Sequence, residues 1–290
     1  MLRYFTSETF RHTPFFPGNL HPHRILLLLC YNILLWCEYV CFTLLSFGFD
    51  SPVDGYRACF VYRTGRALGG GIAMIILNQL VAGYERQPVT SPLTGTLERG
   101  SMTAIIGANG CGKSTLLKTL AGFLPPVSGA FRWRGRRPVI GWLAQRHALE
   151  TQFPLTVQDV VSMGCWPDIS LLGGFQRKTR LRVAHAIERV GLEAMATMTI
   201  DELSGGQFQR MLFARVLVQE APLVMLDEPF TGVDEETCNV LMGLMLEMYQ
   251  RGQTVLAVLH DSERVARYFP QTLRLDTDVS HWMTERVRVA

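Results

Sequence analysis

The apolar residues of this chain fall into runs of three kinds. The first is Ile25 to Phe49, ILLLLCYNILLWCEYVCFTLLSFGF, nearly continuous and interrupted by Asn32 and Glu38. The second is a series of short, apolar or alternating runs bounded by turn residues, the pattern of strands. These are Ile75 to Leu80, Leu93 to Leu97, Thr103 to Ile106, Phe131 to Trp133, Val139 to Ala144, Leu223 to Leu226 and Thr254 to Leu259. The third has a helical period. Leu116 to Leu120 reads as a helix directly after a glycine-rich stretch, and Phe208 to Val218 as another. Arg177 to Val190 places Leu181, Ala184, Ile187 and Val190 on one face, with Gly191 as its cap. The face carrying Arg177, Lys178, Arg180 and Arg182 reads as solvated.

In chain order these elements predict an α/β fold. Ile75 to Leu80 and Leu93 to Leu97, with turns at Arg86-Gln87-Pro88 and Ser91-Pro92, form a small antiparallel β unit leading into a parallel core. Between Arg146 and Leu203 the alternation of strand and helix stops. Pro154, Pro167 and Gly173-Gly174 interrupt short helical pieces, Val157 to Met163 among them, so this stretch is a helical insert. Trp166, Leu171, Leu172 and Phe175 in its loop-rich part are either core packing or a docking surface for another protein. From Asp261 onward the chain reads as a helix and then a short strand-like tail.

Composition adds little to this and removes some function classes. At 290 residues the chain is one large domain or two small ones. A net charge of +3 leaves no nucleic-acid footprint. Its 7 cysteines have no metal-type spacing and no even framework, which favours a reduced interior compartment. His12, His21 and His23 read as scattered surface histidines rather than a metal cluster.

The segment 1–73 admits three readings. Ile25 to Phe49 exceeds the about 20 residues that a membrane-spanning helix needs, but Glu38 is costly there and arginines flank it on both sides. It begins too far into the chain for a signal peptide. It is therefore a membrane anchor, a buried or partner-facing helix, or an upstream extension of the reading frame with natural translation at Met74. The last is preferred, because Gly69-Gly70-Gly71 requires three GGN codons where a purine-rich ribosome site would lie. A native N-terminal peptide upstream of Met74 would overturn it.

Chemistry concentrates at several places downstream. Gly107-Ala108-Asn109-Gly110-Cys111-Gly112-Lys113-Ser114-Thr115 follows a buried strand and opens a helix, the context of a phosphate-binding P-loop. Its glycines let backbone N–H groups converge on phosphate oxygens. Lys113 would reach the β- and γ-phosphates, and the Ser114 hydroxyl would ligate Mg²⁺. Leu223 to Leu226 ends in Asp227-Glu228. Adjacent carboxylates after a buried run are costly unless a cation pairs them, so Asp227 suits the Mg²⁺ and Glu228 the attacking water. Gln145 and His260 stand at the carboxyl ends of two other strands, where α/β sheets place ligands. Ser204-Gly205-Gly206-Gln207 opens a helix and suits a second anion. One compact chain rarely needs two such sites, which suggests that two copies share two nucleotides. Tyr84 is either a platform for an adenine ring or an ordinary strand-end tyrosine, and Asp234 either caps the following helix or reaches across a dimer.

Together these stretches resemble the ATP-binding subunit of ABC transporters over about residues 74–275. Walker A is Gly107 to Thr115, the Q-loop glutamine Gln145, the LSGGQ signature Leu203 to Gln207, Walker B Leu223 to Asp227 with Glu228 next, and the switch histidine His260. The D-loop departs, with Thr231-Gly232-Val233-Asp234 where the family usually has Ser-Ala-Leu-Asp, and Cys111 replaces a small residue and would make the loop thiol-sensitive. VAGYERQ (81–87), FPLTV (153–157), FQRMLFAR (208–215) and VLHD (258–261) resemble ATPases of bacterial zinc/manganese importers, with iron–siderophore, haem and cobalamin importers sharing much of this.

The resemblance implies a P-loop NTPase with a RecA-like parallel core, an N-terminal antiparallel β unit and a helical subdomain at about 146–210. Residues 1–73 then form an extension and 276–290 a tail. It implies ATP and Mg²⁺ as cofactors and a homodimer with each ATP between one P-loop and the partner's Ser204-Gly205-Gly206. Tyr84 gains weight as the adenine platform, and Asp234 as a nucleotide-side residue. Integral membrane permease subunits would be direct partners and a substrate-binding protein an indirect one, with the chain peripheral on the cytoplasmic face of the bacterial inner membrane. Two other classes compete. Soluble ABC ATPases of DNA repair or translation carry coiled-coil or zinc inserts or tandem cassettes, and fused exporters carry about six spanning segments upstream.

Overall fold

The computed structural model describes residues 72–144, 155–166, 176–276 and 280–284. Ile25 to Phe49, Gln145, Leu171, Leu172 and Phe175 lie outside these residues. Among the described residues no helix is long and apolar enough to cross a membrane.

The first four residues of β5 (Met102–Gly107) are buried, and β8 (Leu223–Asp227) and β9 (Thr254–Val258) are buried throughout. Strands apolar on both faces must be covered on both, which favours a parallel sheet. β5, β7 (Ile140–Leu143), β8, β9 and β10 (Gln271–Leu275) are indeed parallel neighbours. With β11 (His281–Thr284) the order is β11-β10-β5-β9-β8-β7. β11 runs antiparallel to β10, so the core sheet continues past residue 275, into the stretch expected to be a tail.

A second sheet, antiparallel and ordered β4-β1-β6, contains β1 (Ala73–Val81), β4 (Leu93–Glu98) and β6 (Ser128–Trp133). Between β1 and β4 a hairpin of β2 (Gly83–Tyr84) and β3 (Gln87–Pro88) turns through Glu85 and Arg86, at φ +47° and +69°. Positive φ at both central residues matches the twist of a two-residue hairpin. Helix α1 (Lys113–Ala121) lies in the core between the sheets: Leu116, Leu117 and Leu120 pack with Ile75, Leu80, Leu93 and Leu97 and with Leu223, Met225 and Leu256. Each such side chain contributes about 1.5–3 kcal/mol on burial. Trp282 of β11 ties the two sheets together, donating from Nε1 to the Thr94 carbonyl at 3.1 Å and filling the space where a Cβ on Gly95 would sit.

The helical part comprises α2 (Val157–Met163), α3 (Arg177–Arg189) and α4 (Gly205–Leu217), which pack on one another. Thr156 and Asp159 form a capping box that starts α2. The apolar face of α3 differs from expectation. Leu181 is 61% exposed and Ala184 is exposed, while Val183, Ala186, Ile187 and Val190 are buried. Two apolar stripes share Ile187 and Val190, and the neighbouring helices decide which is covered. Helix α5 (Glu235–Gln250) packs on α4 and β9, and α6 (Ser262–Tyr268) begins just after β9 with Asp261 as its cap.

Candidate active site

β5, β9 and β8 are successive parallel neighbours, so their carboxyl ends share one edge of the sheet. From β5 comes the loop Gly107–Gly112 and α1, from β9 His260, and from β8 Asp227-Glu228. β9 stands between the other two, so His260 is delivered to the middle of the group.

The loop's backbone explains its glycines. Gly110 and Gly112 take φ of +82° and +94°. A Cβ on Gly112 would lie 2.6 Å from Thr90, whereas one on Gly110 would meet nothing within 4 Å. Gly110 is thus required by conformation, Gly112 by conformation and close packing. Asn109 and Gly110 are exposed at the loop's crest, while Cys111 is 8% exposed, the setting of an unreactive thiol rather than a sensitive one.

Lys113 is 5% exposed, and its Nζ donates to the carbonyls of Gly107 at 2.9 Å and Ala108 at 2.8 Å. The cation therefore sits in the concavity of the loop, where phosphate oxygens would compete for it. The Ser114 hydroxyl donates to Asp227 Oδ1 at 2.8 Å. Asp227 is 2% exposed, and burial raises its carboxyl above the usual value against the Ser114 bond and Lys118 and Lys113, with Glu228 adding to the rise. A buried carboxylate so placed is short of positive charge. Hard oxygen donors from Ser114 and Asp227 suit Mg²⁺; Gln145, the other expected ligand, lies outside the described residues.

Glu228 takes φ +51°, the left-handed region, which costs a side-chain-bearing residue of order 1–3 kcal/mol. That conformation turns its carboxylate off the strand. Oε1 lies 2.9 Å from His260 Nε2, and Oε2 accepts from the Thr231 hydroxyl at 3.1 Å. A carboxylate held on both oxygens beside a P-loop can orient a water and take its proton. Tyr84 is 45% exposed, with its hydroxyl 3.5 Å from Thr115 Oγ1, at the outer limit of a hydrogen bond.

Ser204 to Gln207 and Asp234 form a second group. Ser204 Oγ accepts from Gln207 N–H, and Gln207 Oε1 accepts from Ser204 N–H at 2.8 Å, a capping box that starts α4. Asp234 caps α5, accepting from Thr237 N–H at 2.8 Å, a bond that holds its carboxyl below the usual range. The two motifs touch: a Cβ on Gly206 would lie 2.8 Å from Asp234 Oδ2. Gly232 takes φ +71°, which favours the glycine of the atypical D-loop. Gln209 Nε2 donates to the Pro229 carbonyl at 2.9 Å and joins α4 to the Glu228 turn.

Thr231, Gln209 and Arg264 were not among the expected site residues. Thr231 had a signal, three residues past Glu228 in a turn; Arg264 had one in its place four residues past His260 on a helix.

A family model described as "ABC transporter" matches residues 90–231. Over 208 residues the chain is 41% identical to the zinc transport system ATP-binding protein TroB of Treponema pallidum, covering 70% of this chain and 78% of the relative. It is 37% identical over 204 residues to the manganese transport system ATP-binding protein MntB of Bacillus subtilis, covering 69% and 82%. A dimeric structure of a bacterial ABC transporter cassette superposes with a TM-score of 0.65 at 26% identity, covering 73% of this chain and 99% of that one.

Proposed function

This chain belongs to the ABC transporter family and is an ATP-binding cassette ATPase, and on that premise we propose that it powers a bacterial importer of zinc or manganese. The observation that carries the catalytic part is the Glu228–His260 pair, 2.9 Å apart, next to the Ser114–Asp227 bond at 2.8 Å. Lys113 exchanges the Gly107 and Ala108 carbonyls for phosphate oxygens of ATP. Ser114 and Asp227, with Gln145, hold Mg²⁺, which supplies charge neutralisation to the phosphates. Glu228 orients the attacking water and accepts its proton, and His260 steadies Glu228 toward the γ-phosphate. Tyr84 stacks on the adenine ring. Ser204, Gly205, Gly206 and Gln207 of a second copy close over the same nucleotide, with Asp234 beside them, so the working unit is a homodimer.

That dimer binds integral permease subunits through the helical part of about residues 146–210 and works on the cytoplasmic face of the membrane. A substrate-binding protein acts through the permease. The choice of zinc or manganese rests on the names of relatives at 41% and 37% identity, since the residues that touch ATP do not touch cargo. A deletion strain grown under separate zinc, manganese and iron limitation tests it. A defect cured by zinc or manganese supports the proposal; a defect cured by iron alone overturns it.

A further inference from the structure

Arg264 lies in α6, four residues past His260, and its side chain is 18% exposed. Its guanidinium contacts the cap of its own helix and two points of the Phe230–Glu235 stretch. Nη2 donates to Glu235 Oε1 at 2.6 Å and also to Oε2. Nε lies 2.9 Å from Asp261 Oδ2. The guanidinium carbon stands 5.7 Å from the centre of the Phe230 ring, within cation–π range.

These three residues are each next to, or one residue removed from, a proposed site residue. Asp261 follows His260, Glu235 follows Asp234, and Phe230 is separated from Glu228 by Pro229 alone. The turn from Glu228 to Asp234 is thus tied at both ends to the helix that follows His260. Across the same gap runs the Glu228–His260 contact at 2.9 Å. A planar, forked cation suits this task because it serves two carboxylates and a ring at once, which a lysine ammonium cannot.

We propose that Arg264 is a positioning residue for ATP hydrolysis, coupling the Glu228–Asp234 turn to the His260 helix so that the two move as one piece. The proposal rests on the roles proposed above for Glu228 and His260. Displacement of a reacting group by about 1 Å can cost up to a hundredfold, so Arg264→Ala should lower kcat at least about tenfold. KM for ATP should stay within about twofold, because the P-loop is untouched.

The test measures phosphate release from radiolabelled ATP by the full chain with each of Arg264→Ala, Arg264→Lys, His260→Ala and the Arg264→Ala/His260→Ala double variant. If Arg264 acts through His260, its replacement should change the residual rate of the His260→Ala protein less than about twofold. Arg264→Lys should fall between wild type and Arg264→Ala, and it carries the kcat-against-KM comparison should the alanine variant not fold. Unchanged kcat in both Arg264 variants, a loss confined to KM, or equal losses with and without His260 would overturn the proposal. Normal hydrolysis by His260→Ala would overturn the reading of His260 instead, and the proposal with it.

Discussion

Replacing Gly206 by alanine tests whether the signature turn and the D-loop are in register within one chain. Gly206 is buried, second in α4, and a Cβ there would stand 2.8 Å from both Asp234 Oδ2 and Thr237 Oγ1. Neither atom is free to retreat, because the Asp234 carboxylate and the Thr237 N–H and hydroxyl form the cap of α5. Overpacking costs roughly 1–3 kcal/mol, and loss of an N-cap about 1 kcal/mol. Against these, Gly→Ala near a helix start returns less than the about 1 kcal/mol of an interior position. The net is a destabilisation of about 1–2 kcal/mol, or roughly 3–6 °C in Tm for a domain of this size. Thermal denaturation followed by circular dichroism measures it, alongside Asp234→Ala and the double variant. Removing Asp234 takes away one of the two clashing atoms, so the double variant should be less destabilised than the sum of the singles. Strict additivity, or a Gly206→Ala protein as stable as wild type, would refute the reasoning.

Two further outcomes follow from the carboxylates at the end of β8. The folded carboxyl of Asp227 is raised by burial, so the folded chain holds its proton more tightly than the unfolded chain does. Stability without nucleotide therefore falls as pH rises from the ordinary value of 3.8 through the raised folded value, and is lowest above it. Asp227→Asn, which can still accept the Ser114 hydroxyl, should raise stability at pH 7 by about 1 kcal/mol, flatten that part of the pH profile, and abolish Mg²⁺-dependent hydrolysis; a loss of stability at pH 7 would contradict the assignment. Glu228→Gln removes the proton acceptor while keeping the side chain's shape. It should lower hydrolysis by about 10²–10⁴ and leave an ATP-dependent dimer visible by size-exclusion chromatography, whereas hydrolysis at the normal rate would eliminate Glu228 as the base.

What could be read without coordinates was local. The P-loop, the Asp227-Glu228 pair and the Ser204 cap each announce themselves because strand, loop and helix start are contiguous, and backbone conformation depends on neighbours. What escaped was set by residues far apart in the chain. Which of the two stripes on α3 is buried depends on the helices beside it, so Leu181 looked interior and is exposed. β11 reads as a short strand-like tail; its place in the core sheet comes from the edge that β10 offers and from Trp282, which reaches Thr94, 188 residues earlier. Arg264 is an ordinary helical arginine until Phe230, Glu235 and Asp261 are brought around it. Sequence order also hid the arrangement of the site itself, since β9, last of the three strands in the chain, is the one between the other two.

In a single chain the principal groups of both halves of the proposed site already hold one another. Lys113 holds the loop carbonyls, Ser114 holds Asp227, Ser204 and Gln207 hold each other, and Asp234 holds Thr237. ATP cannot simply add contacts; it must exchange them, and the bonds to charged groups among these are worth about 1.5–3 kcal/mol each. The exchange is favourable on the P-loop side because triphosphate oxygens carry charge that peptide carbonyls do not, and because a cation at Asp227 relieves its burial. On the signature side the capping box is left intact, since the α4 N–H groups of Gly205 and Gly206 can face an anion while Ser204 and Gln207 keep their mutual bonds. Binding of nucleotide to one chain is therefore expected to reorganise Lys113 and Asp227 first. On the proposed reading, closure over a second copy would follow with little further rearrangement on the signature side.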